Sequence, residues 1–157
     1  MYAARFTPEI TDSLCGAQCL RLFIGSFLDL YRNHRELLRF NHIFNSFLHY
    51  SQGTEEQRQP YRQAADSLGT EFHKLYERGA QDSTLNTDIP EQTMFSGTFH
   101  IMLAAVTRYA MGLAVVYEKD PENELVMLAE MLMSRFTKNA DKDQGFGLYD
   151  KEDYYVR

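Results

Sequence analysis

Residues 101–117 read IMLAAVTRYAMGLAVVY and form the longest apolar stretch of the chain. Residues 101–106 are all apolar, and no single face of a helix can hold six residues in a row. Because a helix that is apolar all round must be buried all round, the stretch predicts a core helix over about residues 89–117. The stretch is shorter than the roughly 20 residues that cross a bilayer, and Arg108 interrupts it, so we expect no membrane span.

A second strongly apolar helix is predicted over residues 121–138. Its start combines a capping Asp120, a proline at the first helical position and acidic residues in the first turn. Its apolar stripe is widened by methionines beyond a third of the circumference. The apolar surface of the two helices is too wide for one small monomer, which predicts a homodimer. The expected interface residues are Leu113, Val116, Leu125, Leu128, Ala129, Leu132 and Phe136.

Three more helices are predicted ahead of these two, over residues 12–31, 35–50 and 55–78. The first two carry apolar residues at spacings of three and four, whereas the third has a narrower stripe and is expected at the surface with one buried face. With no sustained alternation typical of strands, the fold class is all-α, a bundle of about five helices.

The domain organisation follows from these elements. Residues 12–139 are expected to form one helical domain, between an irregular segment 1–11 and a polar tail 140–157 that is mobile or forms an arm on the partner.

The positions of three glycines predict a role for each. Gly79 is predicted to end the third helix. Gly97 and Gly112 fall inside the predicted core helix, where a glycine costs about 1 kcal/mol relative to alanine. Close helix crossings would explain both, and room for a ligand is the alternative near Gly97.

Composition excludes several classes of function. The chain has 157 residues, of which 44% are hydrophobic and 24% charged, as in one globular domain. A net charge of −6 without a Lys/Arg-rich run argues against nucleic-acid binding by these residues. The two cysteines, Cys15 and Cys19, are expected as small buried thiols, and their low number favours a cytoplasmic protein.

Motifs for catalysis are absent from the sequence. No histidine follows a glutamate at the Glu-x-x-His spacing of di-iron bundles, and His42 and His49 lack further ligands at chelating spacing. There is no phosphate-binding glycine loop and no nucleophile elbow. We therefore expect no enzyme activity, no metal and no cofactor.

Bulky aromatic and methionine side chains are concentrated on the first, second and fourth helices. Such groups are harder to pack densely than aliphatic ones, which favours an apolar pocket for a small apolar or aromatic effector. Plain core packing remains the alternative, above all for the stripe on the second helix. Asn41 and Arg108 are further candidates for polar contacts. The predicted ligand-binding residues are Phe23, Phe27, Phe40, Phe44, Phe47, Met94, Phe99, His100, Met102 and Tyr109.

Three segments are similar, in their order and spacing, to parts of a known family. Residues 31–38 (YRNHRELL) resemble a junction in which Asn-Pro-Glu-Leu follows a long helix, with histidine here in place of proline. Residues 75–79 (LYERG) and 85–88 (LNTD) resemble a glycine, a polar hook and an aspartate before a long penultimate helix. Residues 120–122 (DPE), leading to 128–132 (LAEML), resemble a final dimerisation helix. The family is that of the C-terminal regulatory domains of TetR-type transcription regulators.

The resemblance implies a mechanism. The last two helices of two protomers would form an intermolecular four-helix bundle, and the first, second and fourth helices would enclose an inducer pocket. Ligand binding would change the spacing between the two DNA-binding domains of the dimer, and the dimer would then dissociate from its operator DNA. The family's N-terminal helix-turn-helix has no counterpart before Asp12, so DNA is expected as a partner only through that missing domain. The chain is then a fragment or a stand-alone sensor. A protein–protein interaction module without a small ligand is the alternative function.

Overall fold

The computed structural model describes residues 13–50, 53–113 and 121–138. Within these ranges the chain forms five helices and no strand beyond one isolated bridge. The predicted all-α bundle of about five helices is confirmed. The helices are α1 (Gly16–Asn33), α2 (Arg35–Tyr50), α3 (Glu55–Gln81), α4, which runs from Glu91–Thr98 through a π-helical segment (Phe99–Leu103) to Ala104–Ala110, and α5 (Pro121–Phe136).

Several sequence-based predictions fall outside the described ranges. These are the irregular segment 1–11, the polar tail 140–157, the end of the core helix near residue 117 and the interface residue Val116. Among the helices that the structure describes, none is long and apolar enough to cross a membrane.

The central helix of the bundle is α1. It packs against α3, α4 and α5 and contacts α2, so most of its length is buried. In contrast, α2 buries only Leu38 and Leu48 fully. The most buried helix is therefore α1, and not the apolar stretch that begins at Ile101.

The prediction that α4 is buried on every side is wrong, because Ile101 and Ala104 are exposed. One face of α4 is buried along its whole length by residues spaced four apart. In an α-helix, positions four apart drift by about 40° per step around the axis. A π-helical turn holds more residues per turn and offsets this drift. The buried positions are Met94, Thr98, Met102, Val106 and Ala110.

Gly112 ends α4 and does not lie inside it as predicted. Its φ is +69°, in the left-handed region that favours glycine. The Leu113 N–H donates to the Arg108 carbonyl at 3.0 Å, and the Gly112 N–H donates to the Tyr109 carbonyl at 3.1 Å. These two bonds form a Schellman motif. A Cβ on Gly97 would meet nothing within 4 Å, so a close helix crossing explains neither glycine.

The helices α1 and α3 touch at two glycines. A Cβ on Gly16 would lie 2.1 Å from the Cα of Gly79, and a Cβ on Gly79 would lie 2.2 Å from the Cγ of Leu85. Gly79 is therefore a crossing point and not the predicted stop, because α3 continues to Gln81. Only residues without a side chain allow this approach.

The loop after α3 caps the first turn of α1. The Gly16 N–H donates to Oδ2 of Asp82 at 2.7 Å, and the Ala17 N–H donates to Oγ1 of Thr84 at 2.9 Å. The first amides of a helix have no partner within the helix itself. Here a segment more than 60 residues away in sequence supplies the partners.

The same loop also holds the end of α5. The Asn86 N–H donates to the Phe136 carbonyl at 2.7 Å, and the Lys138 N–H donates to the Thr84 carbonyl at 2.8 Å. The ends of α1, α3 and α5 are thereby joined. We call this junction, formed by residues 82–86 with Gly16 and Gly79, the closed end of the bundle.

Asp82 carries a negative charge at the N-terminus of α1. Partial burial raises the pKa of Asp82, but hydrogen bonds from Thr84 and Gly16 and the nearby charge of Arg78 outweigh it, so the pKa lies below the ordinary 3.8. The ionised carboxylate is thus the form that the folded protein favours.

A first prediction concerns the glycine crossing. Gly16→Ala should lower the free energy of unfolding by about 2–3 kcal/mol, because its Cβ would overlap the backbone of Gly79 and force the helices apart. The matched control is Gly69→Ala in α3, where a Cβ meets nothing within 4 Å. That change should stabilise by up to about 1 kcal/mol through helix propensity. Urea titration measures both, and equal effects would disprove the close crossing.

A second prediction concerns the charge of Asp82. Since the folded-state pKa lies below the unfolded value of 3.8, the stabilisation is fully present above that pH and is lost as the pH falls through the folded pKa. The stability difference between the wild type and Asp82→Asn should therefore be constant near neutral pH and shrink below pH 3.8. Denaturant titrations at several pH values measure it. A difference that does not vary with pH would contradict the proposed role of the charge.

Candidate functional site

A cavity of about 360 Å³ lies between α1, α2, α3 and the π-helical segment of α4. Its volume is within the roughly 300–1,000 Å³ range of small-molecule sites. It is lined by α1 from Phe23 onward and by α3 up to Leu68, and it therefore lies away from the contact between Gly16 and Gly79. The lining residues are Phe23, Ser26, Phe27, Leu30, Leu37, Leu38, Phe40, Asn41, Phe44, Gln57, Pro60, Tyr61, Ala64, Ala65, Leu68, Phe99 and Leu103.

Interlocked phenylalanine rings form the inner wall of the cavity. Phe27 meets Phe23 edge-on with ring centroids 5.7 Å apart and meets Phe99 at 5.3 Å. Behind them, Phe72 lies 5.2 Å from both Phe23 and Phe95. Edge-to-face pairs each contribute about 0.5–1.5 kcal/mol beyond the burial of their area. The wall is thus held in place before any ligand enters.

The mouth of the cavity lies between α2 and α3. Phe40 on α2 and Tyr61 on α3 line the cavity and are also substantially exposed. Between these aromatic edges, α3 presents the small side chains of Ala64 and Ala65. Small residues at these positions leave the space that a larger side chain would fill.

The polarity of the lining limits which ligands fit. None of the seventeen described lining residues is charged. Polar contacts are available from Asn41, from Ser26, whose hydroxyl donates to the Phe23 carbonyl at 2.7 Å, and from Gln57, whose Oε1 accepts from the Thr54 N–H at 2.9 Å. Because a buried charge without a partner costs several kcal/mol, the site suits an uncharged molecule.

Half of the predicted ligand-binding residues line this cavity: Phe23, Phe27, Phe40, Phe44 and Phe99. Asn41, proposed from the sequence as a polar contact, also lies in the lining. That these residues bind a ligand remains a prediction, but the structure brings them together from three helices.

The other five predicted residues lie elsewhere. Met94 and Met102 are fully buried on the core face of α4. His100 follows Phe99 directly in the π-helical segment, but it does not line the cavity and is exposed to solvent. Phe47 lies on the exposed outer face of α2. Tyr109 packs near Tyr31, with ring centroids 6.3 Å apart, and donates to the Glu124 carboxylate.

The contribution of α3 was missed from the sequence. The segment from Gln57 to Leu68 supplies six of the lining residues. The sequence predicts only that the stripe of Tyr61, Ala64 and Leu68 is the buried face of a surface helix. The signal that could have identified it is the smallness of Ala64 and Ala65, opposite the large rings on α1 and α2.

Four of the seven predicted dimer-interface residues lie in the core of the single chain. Leu125, Ala129, Leu132 and Phe136 are buried there, so their part in an interface remains an untested prediction. The closed end holds the end of α5, and a salt bridge of 2.9 Å between Arg32 and Glu122 holds its start. These ties direct the apolar stripe of α5 inward, against α1.

The remaining predicted interface residues give no continuous surface. Leu113 is exposed just after α4, and Leu128 is half-buried. Val116 lies outside the described residues. The exposed apolar side chains on α5 are instead Met127 and Met131.

No metal site or reactive thiol stands out in residues 13–50, 53–113 and 121–138. In those ranges, three or more His, Cys, Asp or Glu side chains never come together as a metal ion would require. Cys19 is buried and Cys15 is half-buried. Burial raises the pKa of the Cys19 thiol, and the nearby Arg78 offsets this only in part. A thiol with a raised pKa is a weak nucleophile at neutral pH.

The cavity itself leads to a third prediction. Ala64→Phe should abolish uptake of an uncharged two-ring dye such as Prodan, because the new ring occupies the space between α2 and α3. The matched control is Ala80→Phe, at an exposed position of the same helix, and it should leave dye binding unchanged. Dye fluorescence measures binding, and circular dichroism checks the fold. Undiminished dye binding by Ala64→Phe would place the dye outside the cavity.

Comparison with protein-family models, with curated proteins and with solved structures gave no match to this chain. The resemblance to TetR-type regulatory domains therefore rests on the quoted motifs alone.

Proposed function

We propose that this chain binds a small, uncharged, largely apolar molecule in the cavity between α1, α2, α3 and α4. The observation that supports this most strongly is the cavity lining, which combines rigid aromatic rings with a few polar groups and no charge. Such a composition is typical of small-molecule sites.

The size of the cavity indicates the size of the ligand. An apolar cavity of roughly 150 Å³ binds benzene. A cavity of about 360 Å³ therefore suits a molecule of about two fused rings or a comparable branched chain. The Asn41 carboxamide can both donate and accept a hydrogen bond, so one hydroxyl or carbonyl group on the ligand would be recognised.

The biological role that we propose for this binding is effector sensing in a transcription regulator. This part of the proposal depends on the resemblance of three segments to TetR-type regulatory domains. DNA contact would belong to a helix-turn-helix domain in addition to the helices α1 to α5. Since the predicted stripe on α5 is buried in its own core, signalling through that stripe is not part of the proposal.

A thermal-shift comparison tests ligand binding. At a concentration of about 100 times Kd, 2-naphthol should stabilise the protein by about 2.7 kcal/mol, which corresponds to a rise in Tm of roughly 5–10 °C for a chain of this size. The matched anion, 2-naphthoate, should give little or no shift. The stabilisation should disappear in Ala64→Phe. Equal shifts from both compounds, or no shift from a panel of uncharged aromatic compounds, would contradict the proposal.

The role of Asn41 is tested with a second pair of compounds. Asn41→Leu should weaken binding of 2-naphthol by about 2- to 12-fold, the value of one hydrogen bond of 0.5–1.5 kcal/mol. Binding of naphthalene, which has no polar group, should be unchanged or tighter. Equal losses for both compounds would show that Asn41 acts only through packing.

An interaction module without a small ligand is the second candidate function. The observation that favours it is the set of large apolar side chains exposed on α2. If no uncharged compound raises Tm and the dye is not taken up, this alternative becomes the better account of the chain.

A further inference from the structure

The outer face of α2 carries a continuous apolar stripe. Phe40, Ile43, Phe47 and Tyr50 are 59%, 61%, 53% and 83% exposed. Their spacing of three, four and three residues places them on one side of the helix, as in the a and d positions of a coiled coil. We call these four residues the α2 stripe.

The α2 stripe lies in a segment without charged residues. Residues 40–50 read FNHIFNSFLHY and contain no Asp, Glu, Lys or Arg, although 24% of the chain is charged. The first half of α3, residues 55–67, is also largely exposed and contains five charged residues. Helix faces that remain in water are normally charged or polar. The composition of α2 is therefore that of a covered surface.

We propose that α2 packs antiparallel against α2 of a second copy of this chain. The spacing of three, four and three residues is the same in both chain directions. A two-fold axis near the middle of the stripe would therefore place each stripe residue opposite a stripe residue of the partner. Phe40 would then face the partner's Tyr50, and Ile43 would face the partner's Phe47. Such a self-complementary patch is what a symmetric dimer requires.

The area of the stripe suits a homodimer. Large side chains present roughly 150–250 Å² each, so the exposed fractions leave on the order of 450 Å² of apolar surface per protomer. Two copies would bury at most about 900 Å² through the stripe itself, somewhat below the ~1,000 Å² lower limit of specific interfaces. Flanking atoms of α2 would add the rest.

The other large apolar side chains exposed on α4, just after it and on α5 are Ile101, Leu113, Met127 and Met131, at 43%, 55%, 48% and 60%. On average they are less exposed than the α2 stripe, and exposed charged residues adjoin them, among them Glu124, Glu130 and Arg135. Charged residues are depleted in the cores of interfaces. The α2 stripe is therefore the better interface.

The α2 stripe is continuous with the mouth of the cavity. Phe40 belongs to both, and it stacks on the cavity-lining Phe44 with ring centroids 5.7 Å apart and an interplanar angle of 12°. A partner helix on the stripe would therefore cover one edge of the mouth. This consequence depends on the proposed ligand site, whereas the dimer itself does not.

Sedimentation velocity of the full chain, without ligand, tests the dimer. The wild type should form dimers at micromolar concentration. Ile43→Asp should weaken dimerisation at least 30-fold, the effect of losing a central contact worth about 2 kcal/mol. The matched control is Met131→Asp on α5, because its exposure of 60% equals that of Ile43 within one percentage point. It should leave the dimer intact.

Several results would overturn the proposal. One is a wild type that stays monomeric up to hundreds of micromolar. Another is a dimer that Met131→Asp disrupts and Ile43→Asp does not. Both variants change exposed side chains, so their unfolding curves should match the wild type and exclude loss of the fold. A negative result here leaves the dye and naphthol experiments unaffected, so the two proposals can fail separately.

The antiparallel orientation is tested by crosslinking. Ser46 lies close to the expected two-fold axis, so Ser46→Cys should be joined to its partner by a short bismaleimide in high yield. Ser67→Cys, on the exposed face of α3, serves as the control and should give no crosslink above the wild-type background from Cys15. Equal yields for the two variants would contradict an α2–α2 interface.

Discussion

The close contact between the backbones of Gly16 and Gly79 is the constraint on which the rest of the bundle depends. It brings α1 and α3 together without any side chain between them. The loop that follows α3 then lies beside the first turn of α1, where Asp82 and Thr84 bind its free amides. The same loop holds the end of α5. One crossing thus determines where three helices meet.

The cavity is the counterpart of this crossing at the other end of the bundle. Moving away from the glycines, α1 and α3 are bridged first by the rings of Phe23 and Phe72. One turn later the cavity separates Phe27 from Leu68. Because α2 and the first half of α3 pack on the bundle through few buried residues, they frame this opening and do not close it. The closed end therefore forms where α1 and α3 touch, and the cavity forms where the same two helices are further apart.

The apolar residues of α2 and α5 face different surroundings, the protein core for α5 and both the cavity and solvent for α2. The apolar stripe of α5 is used within the chain, because the closed end and the bridge from Arg32 to Glu122 turn it toward α1. The helix α2 has one side toward the cavity and another toward solvent, with Phe40 shared between them. A ligand in the cavity and a partner on the outer face would thus contact the same helix, which is the physical requirement for one to influence the other.

The sequence by itself determined the fold class, the start of α2, α3 and α5, and the aromatic character of the site, because these depend on local periodicity and capping. It also included Phe23, Phe27 and Phe99 among the predicted ligand-binding residues, all three of which line the cavity. The tertiary structure alone decided the roles of the glycines, since Gly79 is required where α1 approaches α3 and Gly112 where the backbone takes a positive φ. It also decided which apolar stripe faces inward. Periodicity shows that Leu125 and Ile43 each lie on an apolar stripe, but only the positions of the other helices determine that Leu125 is buried and Ile43 is exposed.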